Sequence, residues 1–297
     1  MENLFPYSTA LAAGASYGLS AVFSKRALEL GAGTFRSLTW SNWAIAVCFI
    51  PYPFLSEENF SHTVLLHGAL LGLLFFFGQL SCFLALRRGD ASVVTTVMGS
   101  KSLFVAFFVV LVGFKSDLDS KVWLAAILAC MAVALLGWPS KRYSIPLRSL
   151  YLATIAAACF GLTDALVPYF AQSSDPFNLL FMMVATVALL SIPIIPMCEG
   201  KFIEWRGKAD KCLLWGSILV AGQALLMSIA IGFHDVPTEA NILYSTRGLW
   251  SLFFATTIGG WLGISVSTAP KKVIFRRSLG AMLLLAGIWL IACMNRD

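Results

Sequence analysis

The chain has 297 residues, of which 59% are hydrophobic and 12% charged, and its mean hydropathy is +0.81. Charged residues make up roughly a quarter of a water-soluble domain, so this composition excludes a soluble fold and leaves room for one membrane-embedded bundle only. The net charge of +6 does not indicate nucleic acid, because nearly all Lys and Arg lie in or beside short connections and form no basic helix or aromatic-basic motif.

A membrane-crossing helix needs about 20 mainly apolar residues. Apolar runs bounded by charges, Gly and Pro predict five such helices at 5–24, 36–55, 63–86, 91–113 and 119–138. Five more follow at 148–171, 177–197, 211–232, 238–263 and 274–294. The first is expected to be retained rather than cleaved as a signal, since no Lys or Arg precedes it whereas Lys25 and Arg26 follow it. All seven cysteines lie in or near these runs without a C-x-x-C pair, which supports neither a disulfide framework nor a zinc site. The expected fold is an all-α membrane protein with about ten transmembrane helices.

Positive charge orients them. Sixteen of the 21 Lys and Arg residues lie on one side, in connections or at the helix ends beside them: Lys25, Arg26, Arg36, Arg87, Arg88, Lys141, Arg142, Arg148, Lys201, Arg206, Lys208, Lys211, Lys271, Lys272, Arg276 and Arg277. Only Lys115, Lys121 and Arg296 fall on the other, so the first side reads as cytoplasmic and both termini as non-cytoplasmic.

The two halves echo each other. Tyr17-Gly18-Leu19-Ser20 is matched by Phe160-Gly161-Leu162-Thr163 at an offset of 143, and Gly78-Gln79 by Gly222-Gln223 at 144. Ser100-Lys101-Ser102-Leu103-Phe104 is matched by Thr246-Arg247-Gly248-Leu249-Trp250 at 146. With five helices per half the second copy enters from the opposite side, which predicts inverted repeats over 1–140 and 146–297.

A charge at the bilayer centre costs about 2.5–3.5 kcal/mol by insertion scales, so a deep ionisable residue is a functional candidate. Lys101, Arg247 and Asp164 qualify, the two cations lying roughly 13–15 Å from their expected helix starts. As repeat mates, Lys101 and Arg247 are expected at similar depth, facing one cavity. Two cations and one acid predict a site of net positive charge for a carboxylate or phosphate, bound by the Arg247 fork and the Lys101 point charge. The bland alternatives are that the cations snorkel to an interface, or that Asp164 pairs with one of them structurally. Gln79 and Gln223 offer amides either to substrate or to neighbouring helices. Tyr244 and Trp250, three residues to either side of Arg247, share its helix face and are candidate walls of the site. Glu239, near the outer start of its helix, reads as solvated. Gly14/Gly18, Gly68/Gly72 and Gly259/Gly263 fit close helix packing. The sequence has no phosphate-binding G-x-x-x-x-G-K-[ST] loop and no zinc-protease or nucleophile-elbow motif, so no cofactor, metal or ATP hydrolysis is expected.

The paired Tyr17-Gly18 and Phe160-Gly161, Gly89-Asp90-Ala91-Ser92 before the fourth helix and a small-residue-rich last helix from Ala281 to Leu290 together resemble the drug/metabolite transporter superfamily, EamA-like branch. The resemblance implies helices 1–4 and 6–9 around a central cavity, with helices 5 and 10 peripheral, and alternating access by rocking of the halves. It implies a secondary transporter rather than an enzyme. The cargo would be a small polar metabolite, with an anionic or carboxylate-bearing one such as an amino acid favoured by the cations. A sugar-phosphate or nucleotide-sugar exchanger is the alternative, and a membrane-embedded enzyme or accessory subunit the rival from another class. The implied partners are a small-molecule substrate and the lipid bilayer of the cytoplasmic (inner) membrane, with monomer and homodimer both open. Two departures bear on coupling: Gly113-Phe114-Lys115 stands where relatives carry a Gly-Glu pair, and the segment Gly259 to Gly263 contains no Glu.

Overall fold

A computed structural model describes residues 4–88, 94, 97–138, 147–199, 202–263 and 271–294, and every regular element among them is helical. In chain order these are α1 (Phe5–Glu29), α2 (Thr34–Phe49), the four-residue α3 (Tyr52–Leu55), α4 (His62–Arg88), α5 (Lys101–Leu111) and α6 (Ser120–Gly137). There follow α7 (Leu147–Ala171), α8 (Pro176–Leu190), α9 (Lys208–Ser228), α10 (Pro237–Tyr244), α11 (Arg247–Thr257) and α12 (Lys271–Met294). A 3-10 segment, Ile192–Met197, prolongs α8, and a π turn, Ile229–Phe233, prolongs α9. Gly89 to Ser92, the expected boundary between the halves at 140–146, and Lys141, Arg142, Lys201 and Arg296 lie outside the described residues.

Among the described residues six stretches are long and apolar enough to cross a membrane: His62–Ala85, Ser120–Gly137, Leu147–Ala171, Pro176–Met197, Lys208–Phe233 and Lys272–Cys293. The protein is therefore a multi-pass membrane protein. Elsewhere the expected spans are diluted or broken. The first helix runs on to Glu29, and its five Ser and Thr residues with Lys25, Arg26 and Glu29 lower its apolarity. Pro51, which has no N–H to donate, separates α2 from α3. The expected helices at 91–113 and 238–263 are each interrupted, as described below.

The most extensive contacts join the first five expected helices to the last five. Helix α1 packs on α9 and α11, whereas α7 packs on α4 and α5; α2 meets α9, α4 meets α8, and α6 pairs with α12. Lipid offers no hydrophobic drive between helices, so small residues and interhelical hydrogen bonds hold them. Ser16 and Ser20 Oγ donate to the carbonyls of Leu219 and Gly216 at 2.8 Å, fastening α1 to α9, while Ser149 Oγ donates to Ala85 O at 2.9 Å, fastening α7 to α4. The repeated glycines do equivalent work. A Cβ on Gly18 would lie 2.6 Å from Trp250 Cβ in α11, and one on Gly161 would lie 2.6 Å from Phe104 Cβ in α5. Gly14, Gly68 and Gly72 are likewise pressed against other helices. Gly259 and Gly263 differ: the nearest atom to a Cβ on Gly259 is the Ala255 carbonyl before it, and Gly263, against which only the Arg26 guanidinium of α1 lies, sits at φ +73°, so these two unwind the chain after Thr257.

The ends of the bundle show the same cross-half pattern. Arg36, in the first turn of α2 and wholly buried, donates to Phe202 O (3.1 Å), Glu204 O (2.8 Å) and both carboxylate oxygens of Asp210. At the opposite end Asn178, in the first turn of α8, donates to Glu58 O (2.9 Å) and Ser56 Oγ (2.8 Å). Each side chain clamps the connection that leads into its partner helix.

Candidate functional site between two broken helices

The chain breaks helical bonding at two places related by the 146-residue offset. Before α5, Ser100 N donates to Val97 O at 2.9 Å and Leu103 N to Ser100 O at 3.0 Å; before α11, Thr246 N donates to Leu243 O at 3.1 Å and Leu249 N to Thr246 O at 2.9 Å. These i to i−3 bonds tighten the turn. Ser100 Oγ donates to Val97 O and Thr246 Oγ1 to Leu243 O, both at 2.7 Å, so each hydroxyl occupies a carbonyl that the helix would otherwise use. The residue after each break, Lys101 or Arg247, is the first of a new helix. Each cation thus stands at the N-terminal, dipole-positive end of a half-helix, directly after the tightened turn.

The two ends meet around Tyr244, which is 5% exposed. Lys101 Nζ lies 5.8 Å from its ring centre and Arg247 Cζ 4.5 Å, so one aromatic ring serves both cations. The Arg247 guanidinium also lies 5.6 Å from the Tyr17 ring, which meets Tyr244 edge-on at 5.8 Å; Lys101 lies 5.8 Å from Phe160, the repeat mate of Tyr17.

Charge is balanced unevenly. Lys101 Nζ is 2.7 Å from Asp164 Oδ2, which also accepts from Asn241 Nδ2 at 2.7 Å. Asn241 is anchored in turn on Pro237 O at 2.8 Å. The side chains of Lys101 and Asp164 are only 14% and 12% exposed, so Lys101 does not snorkel. Pro168, inside α7, removes the N–H that would bond the Asp164 carbonyl, loosening that helix at the site. Among the described residues no carboxylate lies within ion-pair distance of Arg247. The cluster has two cations and one carboxylate, and leaves Arg247 without a carboxylate partner among the described residues.

The other expected site residues fall elsewhere. Gln79 Nε2 donates to Asn42 Oδ1 at 2.9 Å and Asn42 Nδ2 to Ser191 Oγ at 2.9 Å, a polar chain linking α4, α2 and the end of α8. Gln223 is half-buried in α9 without a hydrogen bond among the described residues. Trp250 seals Gly18 and stacks on Phe254 at 5.8 Å, with its side chain turned away enough to be 36% exposed. Glu239 is not solvated, as its position near a helix start suggested: it is 8% exposed and pairs with Lys115 at 3.6 Å, because α10 is buried along its whole length. Beside it, burial pushes the Asp235 carboxyl up, with Lys115 and His234 pulling it back. Asn241 and Tyr17 were not anticipated as site residues. Asn241 was legible as a lone amide in an apolar run, and Tyr17 only as a mark of the repeat.

Residues 4–138 match the model of the EamA-like transporter family. No curated protein matches the chain. Among 29 matching chains of solved structure, a crystal structure of a protein 15% identical covers 97% of this chain and 98% of that one with a TM-score of 0.71, which is a likeness of fold.

Proposed function

We infer that this chain, a member of the EamA-like transporter family and hence a membrane transporter of the drug/metabolite type, is a secondary transporter that moves a small anionic metabolite by alternating access. The observation that carries this reading is Arg247: a half-buried guanidinium on a half-helix N-terminus, beside Lys101 and without a carboxylate of its own. A planar fork of donors binds a carboxylate or phosphate through two parallel bonds, and a positive helix end aimed at the same place adds to the attraction. Lys101, held by Asp164 and Asn241, supplies the second point of contact, and Tyr244 and Tyr17 form the wall. Gln79, Gln223 and Trp250 stay outside this core, Gln79 as a tie between helices.

The ten-helix arrangement as two inverted repeats, 1–140 and 146–297, draws support from the reciprocal packing of α1 on α9 and α11 against that of α7 on α4 and α5. Rocking of the halves about the breaks at Ser100 and Thr246 would expose the cations to each side in turn. The distribution of Lys and Arg supports a cytoplasmic-membrane location with both termini outside. Two positive helix ends at one site favour a doubly charged phosphate as much as a carboxylate, which keeps a sugar-phosphate type exchanger in view. An enzyme reading would rest on Asp164, whose Oδ2 is already shared between Lys101 and Asn241.

Thermal stabilisation by ligand tests the substrate class without requiring transport. Purified protein is melted with pools of carboxylates, phosphorylated metabolites and their neutral analogues. An anionic pool is expected to raise the melting temperature, with apparent affinity at least about tenfold weaker in Lys101→Gln/Arg247→Gln, one lost charged contact being worth about 1.5 kcal/mol or more. Stabilisation by neutral analogues alone would count against the anion site.

A further inference from the structure

A groove of about 300 Å³ opens between α1, α6, α11 and α12. It exists because α11 has no fully buried residue and α12 packs on α6 instead of covering it. Ala21, Leu136, Leu252 and Ala255 give it apolar walls, and Lys25 and Arg277 are the charged residues that line it. Ser251, its remaining polar side chain, donates its hydroxyl to Arg247 O at 2.8 Å. Arg277 has no ion pair among the described residues, and Lys25 has only Glu29 at 4.0 Å, a weak contact for a side chain that is 63% exposed. Along α11 the groove extends from Ala255 to Gly248, roughly 10 Å at 1.5 Å per residue.

We propose that this groove binds one acidic phospholipid, with the headgroup phosphate on Lys25 and Arg277 and an acyl chain laid along Ala21, Leu136 and Leu252. A soluble anion would gain nothing from the apolar walls, and a zwitterionic lipid would bring its own cation to two others. Two cations and apolar walls lining one groove match an amphiphile with a negative head.

Native mass spectrometry of the purified protein with added phosphatidylglycerol or phosphatidylcholine tests the assignment. The wild type is expected to retain one phosphatidylglycerol in preference to phosphatidylcholine. Lys25→Gln/Arg277→Gln weakens that retention about tenfold or more. Lys208→Gln/Lys211→Gln, which removes equal charge from residues that do not line the groove, leaves it unchanged. Ala255→Trp, filling the groove with both charges kept, abolishes it; if that variant fails to fold, the two charge variants decide the matter. Equal loss in both charge variants, equal retention of phosphatidylcholine, or displacement of the lipid by excess inorganic phosphate would overturn the proposal.

Discussion

Replacing Arg247 with Gln is expected to lower kcat/KM for uptake of the proposed anionic substrate by about 100-fold, with little change in stability. A bidentate charge-assisted pair contributes about 3 kcal/mol, and each 1.4 kcal/mol is a factor of about ten. Gln keeps hydrogen-bonding capacity but neither charge nor fork. Arg247→Lys, which restores charge without planar geometry, should recover about a tenth of the wild-type rate, since Arg and Lys differ at bidentate sites. Because no described carboxylate depends on Arg247, its loss strands no buried charge and the melting temperature should move by only a few degrees. Lys101→Gln behaves differently: it leaves Asp164 with Asn241 as its partner, so part of its transport defect would come with destabilisation. Initial-rate uptake in proteoliposomes, alongside melting curves for each variant, separates the two effects. A Gln variant with full transport would remove Arg247 from the substrate path.

Arg36→Ala should be the most destabilising single change, costing about 3–5 kcal/mol because it breaks a fully buried ion pair. The side chain holds two backbone carbonyls as well as Asp210, whose Oδ2 accepts in addition from Arg206 N at 2.6 Å. Truncation would therefore leave a buried carboxylate with a single backbone donor and two carbonyls unbonded. The melting temperature of the detergent-solubilised protein is expected to fall by about 10 °C. Arg36→Ala/Asp210→Ala should lose less than the sum of the single variants, since removing both members relieves the stranded charge. Additive losses would mean that the pair contributes nothing beyond its separate packing.

Arg36 shows where sequence reading stops. By position it is one of sixteen basic residues assigned to the cytoplasmic side, yet it is fully buried, and its partner Asp210 lies 174 residues away. Nothing local to Arg36 announces that pairing. The deep charges were legible because Lys101, Arg247 and Asp164 interrupt apolar runs, and the repeat brought the two cations into register. The breaks that make them half-helix ends were hidden, because hydropathy scores composition and is blind to Ser100 and Thr246 hydroxyls taking backbone carbonyls. Gln79 and Gln223 look equivalent in sequence, but only Gln79 has an amide, Asn42, within reach. Glu239 shows the same limit from the other side: proximity to a helix start suggested water, whereas the helix it opens is buried throughout.

The most direct test of anion transport through the Lys101 and Arg247 site is counterflow. Proteoliposomes loaded with a pool of unlabelled carboxylates or phosphorylated metabolites would receive trace labelled members of the same pool outside. The account predicts transient accumulation of an anionic label against its gradient by the wild type, abolished in Lys101→Gln/Arg247→Gln of verified folding. Counterflow that persists in that double variant, or that occurs only with uncharged solutes, would contradict it.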